Sequence, residues 1–438
     1  MSAAITLSPS SALIDVDRII TLTGFSAGAH VTLTATSRQA DDTVWQSKNR
    51  YVADSRGNIA IAEQAPVSGD YQGVESQGPL WSQTLQTPDA AAAFSGPAPK
   101  GPAERITVWL AAHDDDGNAA TAILEQRYVA DGVTRVALDD SGLVGALYLP
   151  SGPGPHPAIV VLNGSGGGVN EARAALFASH GYAALALGYF GAPGLPAYLS
   201  EIPLEYFERA LVWLRHTVKP AGNFVAVSGH SRGGELSLLL GSTFPHAVSS
   251  VVAYVPSSVV HGVLNAGRPG DGRFKPAWTV GGKPVAHVWE NNAAQDWSIV
   301  DALPEPRRQA QAFVRAQEDA AAVDQARIAV ERIAGPVLLL SAGDDGYWPS
   351  SRYAREVAQR LQDAGHAHAV KHVDYPEAGH ALQAPHVPTT QIARAHPVSG
   401  IVLTGGGTPV ANAHANRASW HEVLSFLGAA VAANAAVA

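Results

Sequence analysis

The stretch V-A-V-S-G-H-S-R-G-G-E at positions 225–235 decides the fold of this chain. Its first three residues form a short apolar run typical of a buried strand, and leucines recur at helical spacing after it, at positions 236, 239 and 240. A strand that turns into a helix at a G-x-S-x-G pattern predicts a nucleophile elbow, because the flanking glycines allow a strained turn that projects the serine hydroxyl. We therefore predict that Ser231 is a nucleophile, with a helix N-terminus beside it where an oxyanion would form.

A second match to the same pattern, G-F-S-A-G at positions 24–28, has a different context. It lies between residues 19–22 and 31–34, two runs that alternate with the period of a strand. We therefore interpret Ser26 as a serine in a hairpin turn and not as a nucleophile.

The composition is typical of a globular protein that acts on small molecules. Hydrophobic residues make up 46% of the chain, charged residues make up 15%, and the net charge is −9. This acidic balance argues against a binding surface for nucleic acid or for an anionic membrane. The absence of cysteine removes disulfides, thiolate metal sites and a cysteine nucleophile. Because no leader or membrane-spanning run is recognisable, we expect a cytoplasmic protein whose partners are small molecules.

The length of 438 residues predicts two domains. Residues 1–131 consist of short alternating runs separated by turn residues, which predicts an N-terminal β-sandwich of the immunoglobulin-like type. Residues 132–438 alternate buried strands with helices, which predicts a mostly parallel sheet covered on both faces. With the elbow at Ser231, this second pattern predicts an α/β-hydrolase fold. The alanine-rich C-terminal segment is predicted to be a packing helix with one buried face, formed by Trp420, Val423, Leu424 and Leu427.

The alternation of strands and helices breaks between about residues 257 and 333. This stretch contains Trp278, Trp289 and Trp297, followed by a charged helical run over residues 306–332. We predict an insertion that lies over the active site. Its tryptophans either form a wall of an acyl-binding pocket or form a small core of the insertion itself.

A serine nucleophile needs a base, and the base needs an acidic partner, which follow in the order Ser, acid, His in this fold. The apolar run 337–340 leads into S-A-G-D-D-G-Y-W-P-S at 341–350, where Asp345 is the predicted acid and Asp344 a turn or solvated residue. The next strand ends in D-Y-P-E-A-G-H at 374–380, where His380 is the predicted base. His230, which precedes the nucleophile, is not predicted to be catalytic.

The oxyanion hole requires two backbone N–H groups. One is predicted to come from Arg232, and the other from the loop N-G-S-G-G-G at 163–168, with Ser165 and Gly166 as equal candidates. The loop lacks the Lys-Ser/Thr ending of a P-loop and the G-x-G-x-x-G spacing, so neither a nucleotide nor any other cofactor is expected. Three alternating histidines resemble a metal site, but we interpret them as a solvated face and predict no metal: His366, His368 and His372.

Together these motifs resemble the acyl-CoA thioesterase and bile acid-CoA:amino acid N-acyltransferase family. The resemblance rests on G-H-S-R-G-G-E-L-S-L-L-L at 229–240, A-Y-V-P-S-S-V-V at 253–260 and the acid and histidine segments. Upstream, W-Q-S at 45–47 and G-P-L-W-S at 78–82 are similar to the N-terminal β-sandwich domain of the same family.

The resemblance implies a two-domain hydrolase that cleaves acyl-CoA thioesters, with Ser231, Asp345 and His380 as its triad. Serine at the elbow favours water as the acyl acceptor, because the relatives that transfer the acyl group to an amino acid typically have cysteine there. Two alternatives stay open: a carboxylesterase or amide hydrolase on a non-CoA substrate, and an acyl-CoA:amino acid N-acyltransferase. The cations considered for contacts with CoA phosphates are Arg232, Lys283, Arg352 and Arg355.

Overall fold

The computed structural model describes residues 2–97, 101, 105–138 and 141–436, which divide into two units. The first unit comprises Met1–Ala130, Gln383–Gln391 and Thr408–Trp420. The second comprises Asp131–Leu382, Ile392–Gly407 and His421–Ala438. The sequence predicted one boundary near residue 131. It did not predict that two C-terminal segments, Gln383–Gln391 and Thr408–Trp420, belong to the first unit.

The first unit is a β-sandwich. Its smaller sheet consists of Ala4–Ser8, Ile19–Thr23 and Ile59–Ala60. The larger sheet consists, in spatial order, of Ser11–Leu13, Ala119–Arg127, Ile106–Asp114, His30–Arg38, Val44–Val52 and Ser68–Gly69, with Thr84–Leu85 also paired to Val44–Val52. Two short helices, Gly78–Trp81 and Pro88–Ala92, lie between strands. Alternate residues such as Val31 and Leu33 are buried, as expected for strands with one face on a core.

The turn around Ser26 differs from its prediction. The strand before it, Ile19–Thr23, pairs within the smaller sheet, whereas the strand after it, His30–Arg38, pairs within the larger sheet. Ser26 therefore lies in a connection between the two sheets, so the hairpin assignment was wrong although the turn is present. Local alternation of the sequence identifies strands but not their partners, which are chosen by burial on the two faces of the sandwich.

The second unit has the α/β-hydrolase fold, as predicted. Its central sheet contains eight strands: β1 (Thr134–Ala137), β2 (Val144–Leu149), β3 (Ala158–Leu162), β4 (Ala183–Gly188), β5 (Val225–His230), β6 (Ser250–Tyr254), β7 (Val337–Ala342) and β8 (Val370–Tyr375). Their spatial order is β1-β2-β4-β3-β5-β6-β7-β8. The pairs β1–β2 and β2–β4 are antiparallel and the remaining pairs are parallel. Every residue of β3, β4, β6 and β7 is buried, which is the pattern of parallel strands covered on both faces.

Four helices pack against this sheet: α1 (Glu171–Ser179), α2 (Leu204–Val218), α3 (Arg232–Thr243) and α4 (Ser350–Asp363). Short 3₁₀ helices occur at Ala221–Asn223, Leu264–Ala266 and Val330–Arg332. The C-terminal helix Pro409–Ala435 begins in the first unit and ends in the second. No helix of the described residues is long and apolar enough to span a membrane.

The stretch between β6 and β7 forms an elaborated segment. It contains the strands Trp278–Val280 and Lys283–Pro284 and the helices Ser298–Asp301, Ala310–Ala316 and Ala320–Ala326. Trp289 and Trp297 are buried in a separate aromatic core with Phe313 and Trp348, whereas Trp278 belongs to the main core under the sheet. The tryptophans are therefore core residues, and the side chains that they support extend toward Ser231. Two small antiparallel strands, Ala393–Ala395 and Val402–Thr404, follow β8.

Candidate active site

Ser231 occupies a strained turn between β5 and α3. Its backbone angles are φ 59° and ψ −118°, and its N–H donates to the Tyr254 carbonyl at 2.9 Å. A Cβ on Gly229 would lie 2.1 Å from the Gly233 carbonyl oxygen, and one on Gly233 would lie 2.6 Å from the Asn163 oxygen. Neither position accommodates a side chain, so the glycines of the elbow are required by the close approach of three backbone segments.

The structure brings Ser231, His380 and Asp345 into one hydrogen-bonded row. The Ser231 Oγ lies 2.7 Å from His380 Nε2. His380 Nδ1 lies 2.9 Å from each carboxylate oxygen of Asp345. The exposed fractions of these residues are 7%, 4% and 4%, so the row is largely shielded from water. Because Nδ1–H donates to the carboxylate, Nε2 is left as the acceptor for the serine hydroxyl.

Two neighbouring carboxylates follow β7 but face different partners. Asp345 Oδ1 also accepts from the N–H groups of Tyr347 at 2.9 Å and Trp348 at 3.3 Å, which holds the carboxylate toward His380. Asp344 accepts from Arg308 at 2.6 Å and from the N–H of Gly407 at 2.7 Å. Only Asp345 is therefore positioned to orient the imidazole.

The glycine-rich loop after β3 lies against the serine. A Cβ on Gly164 would be 3.4 Å from the Ser231 Cβ. Among the described residues, none accepts a hydrogen bond from the backbone N–H groups of Arg232, Ser165 or Gly166. These N–H groups border the space in front of Ser231, where an anionic oxygen would need donors.

The Arg232 side chain does not face this space. Its Nη1 contacts Glu235 at 2.8 Å, and Nη2 donates to the Gly262 carbonyl at 2.9 Å. Both members of the ion pair are buried, with side-chain exposures of 2% and 0%. Burial raises the pKa of Glu235, while the adjacent Arg232 opposes that shift. The guanidinium is consequently not available to a phosphate, contrary to one of the sequence-based suggestions.

Arg352 and Arg355 contact carboxylates of their own. Arg352 Nε lies 2.8 Å from Glu356, and Arg355 lies 3.8 Å from Asp374. Neither these arginines nor the exposed Lys283 lines the cavities at Ser231.

His396 is a site residue that the sequence reasoning missed. Its Nε2 lies 3.0 Å from the Ser165 Oγ, and the N–H of Val398 approaches Nδ1 at 3.3 Å. The Nε2–H group therefore donates to the hydroxyl. Burial, assisted by Arg394 and Arg232, lowers the pKa of His396 to about 4, so the ring is neutral at neutral pH.

Arg394 was also not identified as a site residue, and His230 was not predicted to be catalytic. Arg394 is exposed, lines the cleft that contains Ser231 and His380, and forms no ion pair within the described part of the chain. His230 Nε2 donates to the His380 carbonyl at 2.8 Å. Burial, followed by the proximity of His380, lowers the pKa of His230 well below its ordinary value. Nothing local in the sequence marks Arg394, because its place at the cleft depends on a loop that returns to the elbow. His230 lies in the elbow motif, but its contact with His380 depends on a residue far away in the chain.

Two cavities meet at Ser231. An open cleft of about 290 Å³ contains His380, His230, Arg394 and the glycine-rich loop. A second cavity of about 20 Å³ is lined by apolar and amide residues of the segment between β6 and β7, by Tyr347 and Trp348, and by Ser165 and His396. The site therefore has a spacious polar side and a confined side.

Two of the three alternating histidines have hydrogen-bond partners in the protein. His366 Nε2 donates to the Gly335 carbonyl at 3.0 Å, and His372 Nε2 lies 2.7 Å from the Ser341 Oγ. Within the described ranges, no group of three acidic or histidine side chains is arranged to hold a metal ion.

Comparisons with known proteins agree with this architecture. Residues 202–433 match the family described as BAAT / Acyl-CoA thioester hydrolase C terminal, and residues 15–140 match Acyl-CoA thioester hydrolase/BAAT N-terminal region. The chain is 31% identical to acyl-coenzyme A thioesterase 2, mitochondrial, of Rattus norvegicus over 97% of this chain and 89% of that protein. It is 31% identical to acyl-coenzyme A thioesterase 1 of Mus musculus over 97% and 96% of the two chains.

Among solved structures, a puromycin-hydrolyzing peptidase of Mycobacterium tuberculosis matches with a TM-score of 0.41 and 13% identity, over 96% of this chain and 66% of that one. The two family matches and the near full-length relatives agree with each other across both units. The chain belongs to the acyl-CoA thioester hydrolase/BAAT family.

Proposed function

We propose that this protein hydrolyses acyl-CoA thioesters to a free acid and CoA through an acyl-enzyme on Ser231. The observation that carries the proposal is the hydrogen-bonded row from Ser231 through His380 to Asp345, next to unpaired backbone N–H groups. Membership of the family and the names of its thioesterase relatives support the choice of thioester.

In the first half-reaction, Ser231 Oγ attacks the thioester carbonyl while His380 Nε2 accepts the hydroxyl proton. Asp345 stabilises the resulting imidazolium, and the N–H of Arg232 with that of Ser165 or Gly166 stabilises the oxyanion. The C–S bond then breaks, and His380 gives its proton to the sulfur that leaves as CoA thiol. In the second half-reaction, His380 takes a proton from water while the water oxygen attacks the acyl carbon. The bond from that carbon to Ser231 Oγ then breaks, and His380 returns the proton to Ser231 Oγ, which releases the free acid and restores the serine.

The polar lining of the larger cleft suits the thiol end of a charged leaving group such as CoA. The leaving sulfur must lie close to His380 Nε2, and His380 lines the larger cavity. Arg394 lines the same cavity and has no carboxylate partner in the described chain, so it is available to a phosphate. This cation supports a CoA ester over an uncharged oxygen ester or amide.

The proposal is tested by thiol release from a panel of acyl-CoA esters. Ser231→Ala is expected to lower kcat by at least about 10⁴-fold, since removing the nucleophile of a triad abolishes the relay as a whole. Ser26→Ala is the matched control, because it removes the serine of the other G-x-S-x-G pattern, and it is expected to retain full activity. Faster hydrolysis of oxygen esters or amides than of every thioester would favour a carboxylesterase or amide hydrolase. Formation of an acyl conjugate when glycine or taurine is added would favour an acyl-CoA:amino acid N-acyltransferase.

A further inference from the structure

Of the two cavities that meet at Ser231, the smaller one is the place left for the acyl group if the leaving group occupies the larger. This step rests on the proposed function, in which the leaving thiol takes its proton from His380. His380 lines the cleft of about 290 Å³ and does not line the cavity of about 20 Å³. With the leaving group in the larger cleft, the acyl group extends from Ser231 into the smaller cavity.

This cavity is far smaller than an ordinary ligand site. A volume of about 20 Å³ holds about one water molecule. Pockets for drug-sized ligands have volumes of about 300–1,000 Å³. An acyl chain of many carbons requires displacement of the residues that close the cavity.

The aromatic wall of the cavity is held by a packed core. Phe313 is fully buried, and its ring lies 5.3 Å from that of Trp289 and 5.9 Å from that of Trp348. Trp348 is fixed in turn, because its Nε1 donates to the Val255 carbonyl at 2.9 Å. Since protein cores are close-packed, this wall cannot retreat without a rearrangement of its neighbours.

Another part of the wall is an amide pair. Asn265 Nδ2 donates to Gln309 Oε1 at 2.8 Å, and the N–H of Gln309 donates to the Gly346 carbonyl at 2.9 Å. Gln309 is only 6% exposed. The hydrogen bonds fix a polar surface where a long alkyl chain would need an apolar tunnel.

We infer that the enzyme is specific for short acyl groups, such as acetyl and propionyl, and that Phe313 and Gln309 set the limit on chain length. The aromatic core that supports Phe313 occupies the volume that a fatty acyl chain would require. The cleft of about 290 Å³ on the other side of Ser231 is left for the leaving group.

The inference is tested by kcat/KM for acetyl-, propionyl-, butyryl-, octanoyl- and palmitoyl-CoA, measured by thiol release below the micelle concentrations of the long esters. The wild type is expected to prefer acetyl- or propionyl-CoA over palmitoyl-CoA by at least about tenfold, because excess methylenes meet a closed wall. Phe313→Ala and Gln309→Ala are expected to move the optimum toward longer chains. Leu303→Ala, an exposed apolar position in the same segment that does not line this cavity, is the control and is expected to keep the wild-type profile.

The outcomes distinguish a failure of the short-chain inference from a failure of the proposed thioesterase function. Highest kcat/KM with octanoyl- or palmitoyl-CoA in the wild type would overturn the short-chain inference and leave the thioesterase proposal standing. No thiol release from any ester by the folded protein would overturn the proposed function itself. A short-chain wild type whose profile is unchanged in both cavity variants would refute the assignment of the limit to these two residues. If Phe313→Ala does not fold, the wild-type profile and Gln309→Ala still decide the question.

Discussion

The buried ion pair directly after the nucleophile gives a stability prediction with a defined magnitude. Glu235 accepts from Arg232 Nη1 at 3.0 and 2.8 Å and from Trp278 Nε1 at 3.1 Å. Glu235→Gln keeps the size of the side chain but removes the charge that balances the buried guanidinium. Breaking a buried pair by removing one partner costs about 3–5 kcal/mol. We expect about 3 kcal/mol, near the lower bound, because glutamine retains one acceptor for Arg232.

The free energy of unfolding is measured by urea titration with tryptophan fluorescence. The matched control is Glu318→Gln, which removes a carboxylate at the same i,i+3 spacing from Arg315, where the exposures are 46% and 52%. An exposed pair is worth about 0–1 kcal/mol, so the control is expected to unfold almost as the wild type does. Arg232→Met combined with Glu235→Leu removes both charges and is expected to be more stable than Glu235→Gln.

A Glu235→Gln variant whose unfolding free energy equals that of Glu318→Gln would refute this reasoning. It would mean that Arg232 does not depend on the carboxylate, and that the start of α3 is held by other contacts. Thiol release measured on the same variants reports whether the loss of the ion pair also affects Ser231, the residue before Arg232.

Three further predictions concern the site. Asp345→Asn is expected to lower kcat by about 10⁴-fold through loss of the correct His380 tautomer, whereas Asp344→Asn should lower it far less; equal effects in steady-state assays would contradict the assignment. Arg394→Ala is expected to raise KM for CoA esters by up to about fivefold without changing hydrolysis of an uncharged ester, and Lys283→Ala should change neither. The depressed pKa of His396, about 4 against an ordinary 6.5, stabilises the fold above pH 6.5, and that stability is lost as the pH falls toward 4. Unfolding free energies of His396→Asn should therefore fall less steeply over this range, and an unchanged slope would argue against the shift.

Local sequence accounts for the elements that carry the chemistry. An apolar run, a glycine-flanked serine and a leucine periodicity are all contained within residues 225–240, so strand, turn and helix around Ser231 follow from short-range sterics and periodicity. The same is true of Asp345, which follows the apolar run 337–340, whereas His380 follows the mixed strand segment 369–373. Because the carboxyl ends of neighbouring parallel strands meet at one edge, the order of these segments already predicts that their side chains converge.

Long-range packing decided what the sequence left open. Residues far away in the chain decide three features that the local sequence does not. These are the role of the tryptophans, the partners of the strands around Ser26 and the burial of Arg232. His396 and Arg394 reach the cleft only because the loop after β8 folds back beside the glycine-rich loop, and neither has a periodic or motif signal. The sequence by itself determined which segments carry Ser231, Asp345 and His380 and in what order, since these segments depend on local backbone geometry. Only the tertiary structure decided the size of the smaller cavity at Ser231, because volume arises from side chains that meet across distant segments.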